Sequence, residues 1–441
     1  MKKILIVGLL TLSTSIQAQI LPQRERAAVI DMILEARFND LLPKLMDRTG
    51  LDMWILISRE YNEDPVLKTM LPSTWLNARR RTILVFYRDQ SKNTIEKLAV
   101  ARYNVGKNID SAWDKEKQPD QWKALVDIIS TRNPKSIGIN YSKDFGIADG
   151  IVKTDYNEFM EVLPEDFKLR ITSAEKLAIA WIETRTSQEM EIYRELVKIT
   201  HDIIGEAFST SVIKPGETTT DDVVWWLRQK ATDLGLETWF HPTVDIQRTG
   251  EDLQSHIVSF SDRPKEKIIQ MGDLIHCDFG ITYLRLNTDC QQHAYILKNE
   301  ETSPPDFLNK AFADGNRVQD ILTSNFKTGK TGNEILLRSL EQGRAEGFKP
   351  SIYTHPLGLY GHSSGPTIGM WDSQGGVPGT GDYPLYEDTV YAIELNTTVT
   401  IPEWKKDVRI MLEEAGFWGK DGFRYVNERQ TELITIPKRT K

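Results

Sequence analysis

Two aspartates eleven positions apart, Asp278 and Asp289, lie in a stretch whose pattern indicates a β-hairpin. Residues 274–279 are apolar enough for a buried strand, 280–284 have the composition of a turn, and a second strand is expected to return from Arg285. If Asp278 pairs with Asp289, both carboxylates project from one face, with Cβ atoms about 5 Å apart. Carboxylates this close repel each other unless cations neutralise them. The pair is therefore a candidate metal site, with two solvated surface acids as the alternative.

A second stretch, 354–362, carries His355 and His362 and leads into a glycine-rich segment, 363–369. Two histidines seven positions apart form a nonspecific pattern, because single histidines often have structural roles. Dense glycine and proline, however, are typical of backbone held close to a ligand. The stretch is a candidate ligand-binding loop with imidazole donors.

Two further stretches place glutamates in or beside apolar strands. Glu394 lies inside 389–399, where a carboxylate is expected to need a partner or a metal ion. Glu413 and Glu414 lie in 408–415, at the end of another apolar strand. In chain order the stretches offer Asp, Asp, His, Glu and Glu, a donor set that suits divalent ions such as Mn, Co or Zn.

This order and spacing resemble the pita-bread metallopeptidases, which include aminopeptidase P, prolidase, methionine aminopeptidase and the metal-free relative creatinase. The eleven-position step between the aspartates and the His-x6-His run both match that family. A helix-connecting turn at 214–218 and a Ser-His dipeptide at 255–256, ahead of Gly-Asp at 272–273, match it as well. The resemblance covers residues 177–436 and, more loosely, the first part of the chain.

The resemblance implies a site for two divalent metal ions whose ligands are Asp278, Asp289, His355 and Glu394. A hydroxide shared by two such ions would attack the scissile carbonyl while Glu394 transfers the proton. His256 and His362 would donate hydrogen bonds to the developing oxyanion. The implied activity is that of a peptidase on proline-containing peptides, releasing the residue before proline or cleaving Xaa-Pro dipeptides. Relatives are often homodimers, so a homodimer is expected by analogy.

The fifth ligand departs from the family pattern. Relatives carry a glutamate two residues after an arginine, but Arg409-Ile410 is followed by Met411 in this chain. Either the ligand is lost, or the strand aligns two residues later with Glu413 in that role. Alternation along a strand favours Glu413, which lies on the same face as Met411. A second departure is Ser351, where relatives often carry a histidine, and it weakens the expectation of a proline pocket.

The only two cysteines are Cys277 and Cys290. With Asp278 opposite Asp289, the cysteines would also face each other, on the side of the hairpin away from the metals. A cross-strand disulfide and two buried free thiols are both open at this point, since such bridges are geometrically strained.

The elements that must carry these stretches indicate two domains. Residues 24–172 combine a helical pattern at 24–49 and 121–130 with strand patterns at 53–57, 82–87 and 136–139, which predicts an α/β domain. Residues 173–441 begin with a helical pattern up to 230, including a capping box at 186–189, and continue with short strands and glycine-rich loops. We therefore expect a creatinase/prolidase-like α/β domain followed by an α+β pita-bread catalytic domain.

The chain has 441 residues, of which 40% are hydrophobic and 27% charged, as expected for a soluble protein of two or three domains. Its net charge of -8 argues against a nucleic-acid partner, which would need a basic surface. No later segment reaches the roughly 20 apolar residues of a membrane span. Residues 1–18 resemble a signal peptide, with two lysines, an apolar stretch and small exit residues. We expect a secreted or periplasmic protein, cleaved near Ala18.

Three functions remain open from the sequence. The first is a metallopeptidase for Xaa-Pro bonds, of the aminopeptidase or the dipeptidase type. The second is a creatinase-like hydrolase of a C–N bond in a small molecule, against which the four or five retained ligands argue. The third is a metal-poor binding protein that kept the fold, which Met411 leaves possible.

Overall fold

The computed structural model describes residues 20–250 and 266–437. The expected signal peptide, residues 1–18, and His256 lie outside these ranges. The elements of the first part are α1 (Gln23–Ala36), α2 (Leu42–Thr49), β1 (Met53–Arg59), α3 (Pro65–Met70), β2 (Arg81–Asp89), β3 (Thr94–Val100), β4 (Asp110–Ser111), α4 (Gln121–Arg132), β5 (Ile137–Ile139), α5 (Lys153–Val162), α6 (Glu165–Lys168) and β6 (Ile171–Ser173).

The predicted helix at 24–49 consists of α1 and α2 joined by a π-helical turn, Arg37–Leu41. In α2, Leu42, Leu45 and Met46 are buried, which is the spacing of one helix face. The helix ends at Gly50, whose φ of 70° is the left-handed conformation that glycine adopts without a steric penalty.

A six-stranded sheet with the order β4-β3-β2-β1-β5-β6 forms the centre of this part. Strand β1 is antiparallel to β2 and parallel to β5. Its side chains alternate between two hydrophobic cores, because Met53 and Ile55 face one side whereas Trp54 and Leu56 face the other. Apolar residues on both faces of the strand are what a sheet covered by helices on both sides requires.

The predicted domain boundary between residues 172 and 173 falls inside β6, which ends at Ser173. The helix that follows, Glu175–Glu183, buries Leu177 and Trp181 in the same core as Phe38. The division at residue 172 therefore remains a prediction.

The rest of the described chain is a mixed α/β domain. Its elements are α7 (Glu175–Glu183), α8 (Ser187–Ala207), α9 (Thr220–Asp233), β7 (Thr243–Gln247), β8 (Leu274–Phe279), β9 (Thr282–Tyr283), β10 (Leu286–Asn287), β11 (Cys290–Ile296), α10 (Asp306–Ser324), α11 (Gly332–Ala345), β12 (Pro350–Ile352), β13 (His355–Leu357), β14 (Thr389–Ala392), β15 (Leu395–Ile401), β16 (Lys406–Leu412), β17 (Ala415–Gly419), β18 (Gly422–Tyr425) and β19 (Ile434–Ile436). The predicted capping box is present at the start of α8, where Thr186 and Glu189 each accept a hydrogen bond from the other residue's backbone N–H.

Three larger sheets organise this domain, with the orders β19-β11-β8-β7, β12-β15-β16 and β13-β14-β17-β18. The chain crosses between the second and third sheets at three short junctions, 353–354, 393–394 and 413–414, which together we call the seam. Glu394 and Glu413 are seam residues and His355 follows the first junction directly. Glu394 was expected inside a strand, but it lies between β14 and β15 because the chain changes sheets there.

The predicted hairpin of the aspartates is present as β8 and β11, and β8 has the predicted bounds. Its register differs from the prediction by two residues, because Asp278 lies opposite Gln291 and not opposite Asp289. A shift of two preserves the face, so Asp289 still shares the face of Gln291 and Asp278. Cys277 accordingly lies opposite Gln292 and Cys290 opposite Phe279, and both cysteines are buried free thiols.

Among the described residues, no helix is both long and apolar enough to cross a bilayer.

Candidate metal centre

The predicted site residues come from two parts of the second, mixed α/β domain. Asp278 is near the end of β8 and Asp289 directly precedes β11, so both belong to one edge of the same hairpin. Glu394 and Glu413 lie in two junctions of the seam, and His355 directly follows the other one. Antiparallel pairing of His355 with Ala392, and of Ala392 with Ala415, aligns the junctions side by side. The fold therefore brings five residues that are distant in sequence to one place.

The centre of this group is Asp289, His355 and Glu413, whose donor atoms lie within 4.8 Å of one another. The Nε2 atom of His355 is 3.6 Å from Oδ2 of Asp289 and 3.4 Å from Oε1 of Glu413. Its Nδ1 atom is 3.0 Å from the carbonyl oxygen of Pro356 and can only donate there. In the neutral ring Nε2 thus carries the lone pair, as a metal ligand requires.

Asp278 and Glu394 are in electrostatic contact with that centre. Loss of hydration, followed by the charge of Asp289, raises the pKa of Asp278 well above its usual value. The pKa of Glu394 rises in the same way through loss of hydration and the charge of Glu413. Burial and Asp289 raise the pKa of Glu413 to about 8. Burial alone would lower the pKa of His355, but Asp289 and Glu413 outweigh it and raise the pKa well above its usual value.

Four buried atoms of this cluster have no hydrogen-bond partner among the described residues: Asp278 Oδ1, Asp289 Oδ1, His355 Nε2 and Glu413 Oε1. Buried polar atoms are normally paired, and unpaired carboxylate oxygens grouped around one imidazole indicate missing positive charge. Oxygen donors with one imidazole nitrogen suit hard or borderline divalent ions. The residues present therefore fit divalent cations, which Asp278, Asp289, His355, Glu394 and Glu413 would hold.

Met411, the residue at the position where the family pattern has its last ligand, does not join this cluster. It lines a small cavity of about 230 Å³ next to the centre, together with Ser351, Gln291 and Glu394. The carboxylate near His355 comes from Glu413, two residues further on. The geometry therefore favours the later of the two alignments.

Gln291, which connects two of the acids, was not among the residues predicted for the site. Its Nε2 atom donates to Oε1 of Glu394 at 2.7 Å and to Oε2 of Glu413 at 2.9 Å. Its amide oxygen lies 2.9 Å from Nε2 of His276, which can donate to it. A backbone bridge between residues 291 and 413 adds a further connection. Gln291 thus fixes one oxygen of each glutamate and leaves the other available; its only signal in the sequence is that it shares the strand face of Asp289.

Loss of the Gln291 amide is expected to weaken the binding of metal ions at this centre. We expect Gln291→Ala to weaken divalent-cation binding by about 10- to 100-fold, the usual effect of losing a group that orients metal ligands. Titration of the metal-free protein with Mn²⁺, followed by calorimetry, measures the affinity. Gln247→Ala is the matched control, because Gln247 is also a buried glutamine of this sheet but, among the described residues, its amide bonds only the backbone of Arg409. Equal affinity losses in both variants would contradict the proposed role.

His362 lies beside the centre and lines a cleft of about 820 Å³. Its ring is 4.7 Å from that of His355 and 5.1 Å from that of Trp239, centroid to centroid. Loss of hydration and the proximity of His355 lower the pKa of His362, so the ring is neutral at pH 7 and can donate one N–H. His256, the other histidine expected near the substrate, lies outside the described residues.

The cleft opens between the two parts of the chain. Arg26, Lys68 and Trp75 line it from the first part, whereas Trp239 and Arg285 line it from the second. Arg285 also donates a hydrogen bond to the carbonyl oxygen of Leu71, at 2.7 Å, and so connects the two walls. The cleft is large enough for a short peptide, and it has both basic and aromatic groups. Trp239 is a second site residue for which the sequence had given no signal.

Comparison with known proteins adds the family. The sequence profile of metallopeptidase family M24 matches residues 191–414, a range that contains all five candidate ligands. A search of curated protein sequences found no match.

Solved structures are similar over most of the chain. The X-Pro aminopeptidase of Thermotoga maritima is 16% identical, with a TM-score of 0.61 over 89% of this chain and 99% of its own. The Xaa-Pro dipeptidase of Bacillus anthracis is 17% identical, with a TM-score of 0.57 over 94% and 100%. The prolidase of Pyrococcus horikoshii is 16% identical, with a TM-score of 0.52 over 93% and 100%. At these identities the similarity shows the fold, that of a two-domain pita-bread protein.

Proposed function

Because the chain belongs to metallopeptidase family M24, we propose that it is a two-metal peptidase that cleaves Xaa-Pro bonds in peptides or dipeptides. The observation that carries the proposal is the group of buried oxygens around His355 that have no hydrogen-bond partner among the described residues. This group lies beside His362, which lines a peptide-sized cleft. Similarity to structures named X-Pro aminopeptidase, Xaa-Pro dipeptidase and prolidase supports proline-containing substrates. A binding protein without metal would not require these five donors to converge.

In the proposed reaction, different residues of the chain have different roles. Two divalent cations, when bound, supply the Lewis acidity that activates a water molecule and polarises the scissile carbonyl. Gln291 occupies Oε1 of Glu394, so Oε2 is available to take the proton of the attacking water and return it to the leaving amine. His362 donates its N–H to the carbonyl oxygen as negative charge develops there, with His256 as the proposed second donor. Trp239 and the cleft walls limit the access of water.

The test is a peptide panel assayed with the purified full chain. We expect release of the first residue from Ala-Pro, Ala-Pro-Ala or both after addition of Mn²⁺, Co²⁺ or Zn²⁺, and no release from the matched Ala-Ala and Ala-Ala-Ala. Liquid chromatography with mass detection measures the products and distinguishes the dipeptidase from the aminopeptidase. Cleavage of none of the proline peptides with any of the three ions would refute the proposal.

A variant of His362 tests the oxyanion contact separately from metal binding. We expect His362→Ala to lower kcat for the best peptide by about 10²-fold, the usual effect of losing one donor to an oxyanion, and to leave the cation content unchanged. Steady-state kinetics and metal analysis measure the two quantities. His241→Ala serves as control, because the His241 ring packs against the exposed Trp225 and His241 is not one of the candidate site residues. An unchanged kcat in His362→Ala would exclude the contact.

The proposal also covers the identity of the metal ion, the cellular location of the protein and its oligomeric state. Mn, Co and Zn all suit the donor set, and metal analysis of the purified protein would identify the native ion. The pattern of residues 1–18 supports export to the periplasm or the exterior, which N-terminal sequencing of the mature protein tests at Ala18. Homodimer formation rests on analogy with relatives and is checked by light scattering.

A further inference from the structure

A second group of metal-binding side chains lies behind the candidate metal centre. It consists of His201, Cys290 and Glu414, whose donor atoms lie within 4.8 Å of one another. Nε2 of His201 is 2.7 Å from Oε2 of Glu414. Cys290 and Glu414 are buried, whereas 17% of the His201 side chain is exposed and gives the group access to solvent. None of the three belongs to the five candidate catalytic ligands.

The alternation of side chains explains why this group exists beside the first. Cys290 follows Asp289, and Glu414 follows Glu413, so the members of each pair point to opposite sides of the backbone. His201 reaches the far side from α8, which packs against β8 and β11. Three elements distant in sequence thus supply one donor each. The two groups of donors share backbone segments but have no side chain in common.

The donors are a sulfur, an imidazole nitrogen and a carboxylate oxygen, a set different from that of the catalytic centre. Thiolate sulfur selects soft or borderline ions such as Zn²⁺ over Mg²⁺, Ca²⁺ or Mn²⁺. Sites with three protein ligands and a water molecule in the fourth position are common for Zn²⁺. We propose that His201, Cys290 and Glu414 form a third cation site, which takes a thiophilic divalent ion of the Zn²⁺ type.

Charge and protons balance in this site. The thiol of Cys290 and the imidazolium of His201 each release one proton to solvent, and one divalent ion takes their place. Lone pairs on Sγ and Nε2 form the new bonds, and Glu414 contributes one of its existing lone pairs. The ion's two positive charges are matched by the thiolate and the carboxylate, so the buried cluster is neutral before and after binding.

A small movement admits the ion. Zn–N and Zn–O bonds of about 2.0–2.2 Å at tetrahedral angles place the two ligand atoms about 3.4 Å apart. The His201 ring, which is partly exposed, must therefore move outward from its present 2.7 Å by less than about 1 Å. The ion would then connect α8 to Cys290 and Glu414, which directly follow Asp289 and Glu413 in the chain.

Cobalt is the probe for the test, because a thiolate bound to Co²⁺ gives a charge-transfer absorption band in the near ultraviolet that oxygen and nitrogen ligands do not give. The metal-free full chain is titrated with Co²⁺. We expect the band to appear and to saturate by three ions per chain, because the two catalytic ions also take up Co²⁺ without giving the band. We expect it to be absent in Cys290→Ser and to remain in Cys277→Ser. Cys277 is the matched control, since it is the other buried cysteine and lies on the same face of the hairpin.

Several outcomes would overturn the site. They are a folded wild-type chain with no band in excess Co²⁺, a band that persists in Cys290→Ser, and a band lost only in Cys277→Ser. If circular dichroism shows Cys290→Ser to be unfolded, Glu414→Gln replaces it, and an unchanged Co²⁺ midpoint in that variant also overturns the proposal. Asp278→Asn is expected to keep the band, which separates this site from the catalytic ions.

Discussion

Replacing Glu413 by glutamine is expected to lower the rate of Xaa-Pro cleavage by at least about 10³-fold, as is usual when one member of a cooperating catalytic set is lost. The substitution keeps the shape of the side chain and removes its charge. Oε1 of Glu413 lies 3.4 Å from Nε2 of His355 and has no hydrogen-bond partner among the described residues, and a neutral amide at this position cannot supply the same negative charge. We also expect the cation content to fall, because the remaining acids cannot neutralise the same positive charge.

Kinetics with the best peptide of the panel and metal analysis of the purified variant check this expectation. The control is Met411→Leu, a volume-conserving change two residues earlier on the same strand face. Met411 lies in the neighbouring cavity, so cleavage and cation content should remain close to those of the wild type. Loss of cations in Met411→Leu together with their retention in Glu413→Gln would contradict the assignment of Glu413.

Removal of the cations by a chelator is the second change expected to have a large effect. We expect cleavage to fall below detection and to return when Mn²⁺, Co²⁺ or Zn²⁺ is added in excess. We also expect a lower melting temperature, because an ion at 100 times its Kd stabilises the native state by about 2.7 kcal/mol. For a domain of roughly 250 residues this corresponds to a shift of about 5–10 °C.

Thermal scans of the dialysed protein with and without each ion measure the shift. A Mg²⁺ arm serves as control for ionic strength, since Mg²⁺ prefers sites with several waters and few protein ligands. If metal analysis shows complete removal while cleavage and melting temperature stay constant, the two-metal proposal is wrong.

The sequence predicted the faces of the strands better than their pairing. Asp278 and Asp289 were expected on one face and are on one face, although the hairpin register differs by two residues. The register depends on the connection between β8 and β11. That connection contains the short pair β9–β10 and two non-glycine residues with positive φ, Leu284 at 52° and Arg285 at 66°. The sequence alone does not determine the conformation of such a turn. The face on which a strand residue lies is easier to predict, because side chains alternate with a period of two residues.

Gln291 and the seam could not be predicted because both depend on contacts distant in sequence. Gln291 connects to Glu394 and Glu413 across more than one hundred residues. Glu394 lies at a junction because β14 and β15 pair with strands of different sheets. Glu413 was favoured as the fifth ligand from the alternation of a single strand, and it lies 3.4 Å from His355, while its role as a ligand stays a prediction. Sequence and structure agree best where the prediction concerned a single strand.

The β15–β16 hairpin has a further consequence for the family to which the chain belongs. Leu395 pairs with Leu412 at the base of this hairpin, so Glu394 and Glu413 flank the point where it leaves the centre and returns. Residues added or removed in matched pairs at its far end would leave both carboxylates in place. Evolution can therefore change the number of residues between the two glutamates without cost to catalysis. Fixed spacing is a poor guide to the last ligand for that reason, and alignment gaps between homologues should concentrate in residues 399–408.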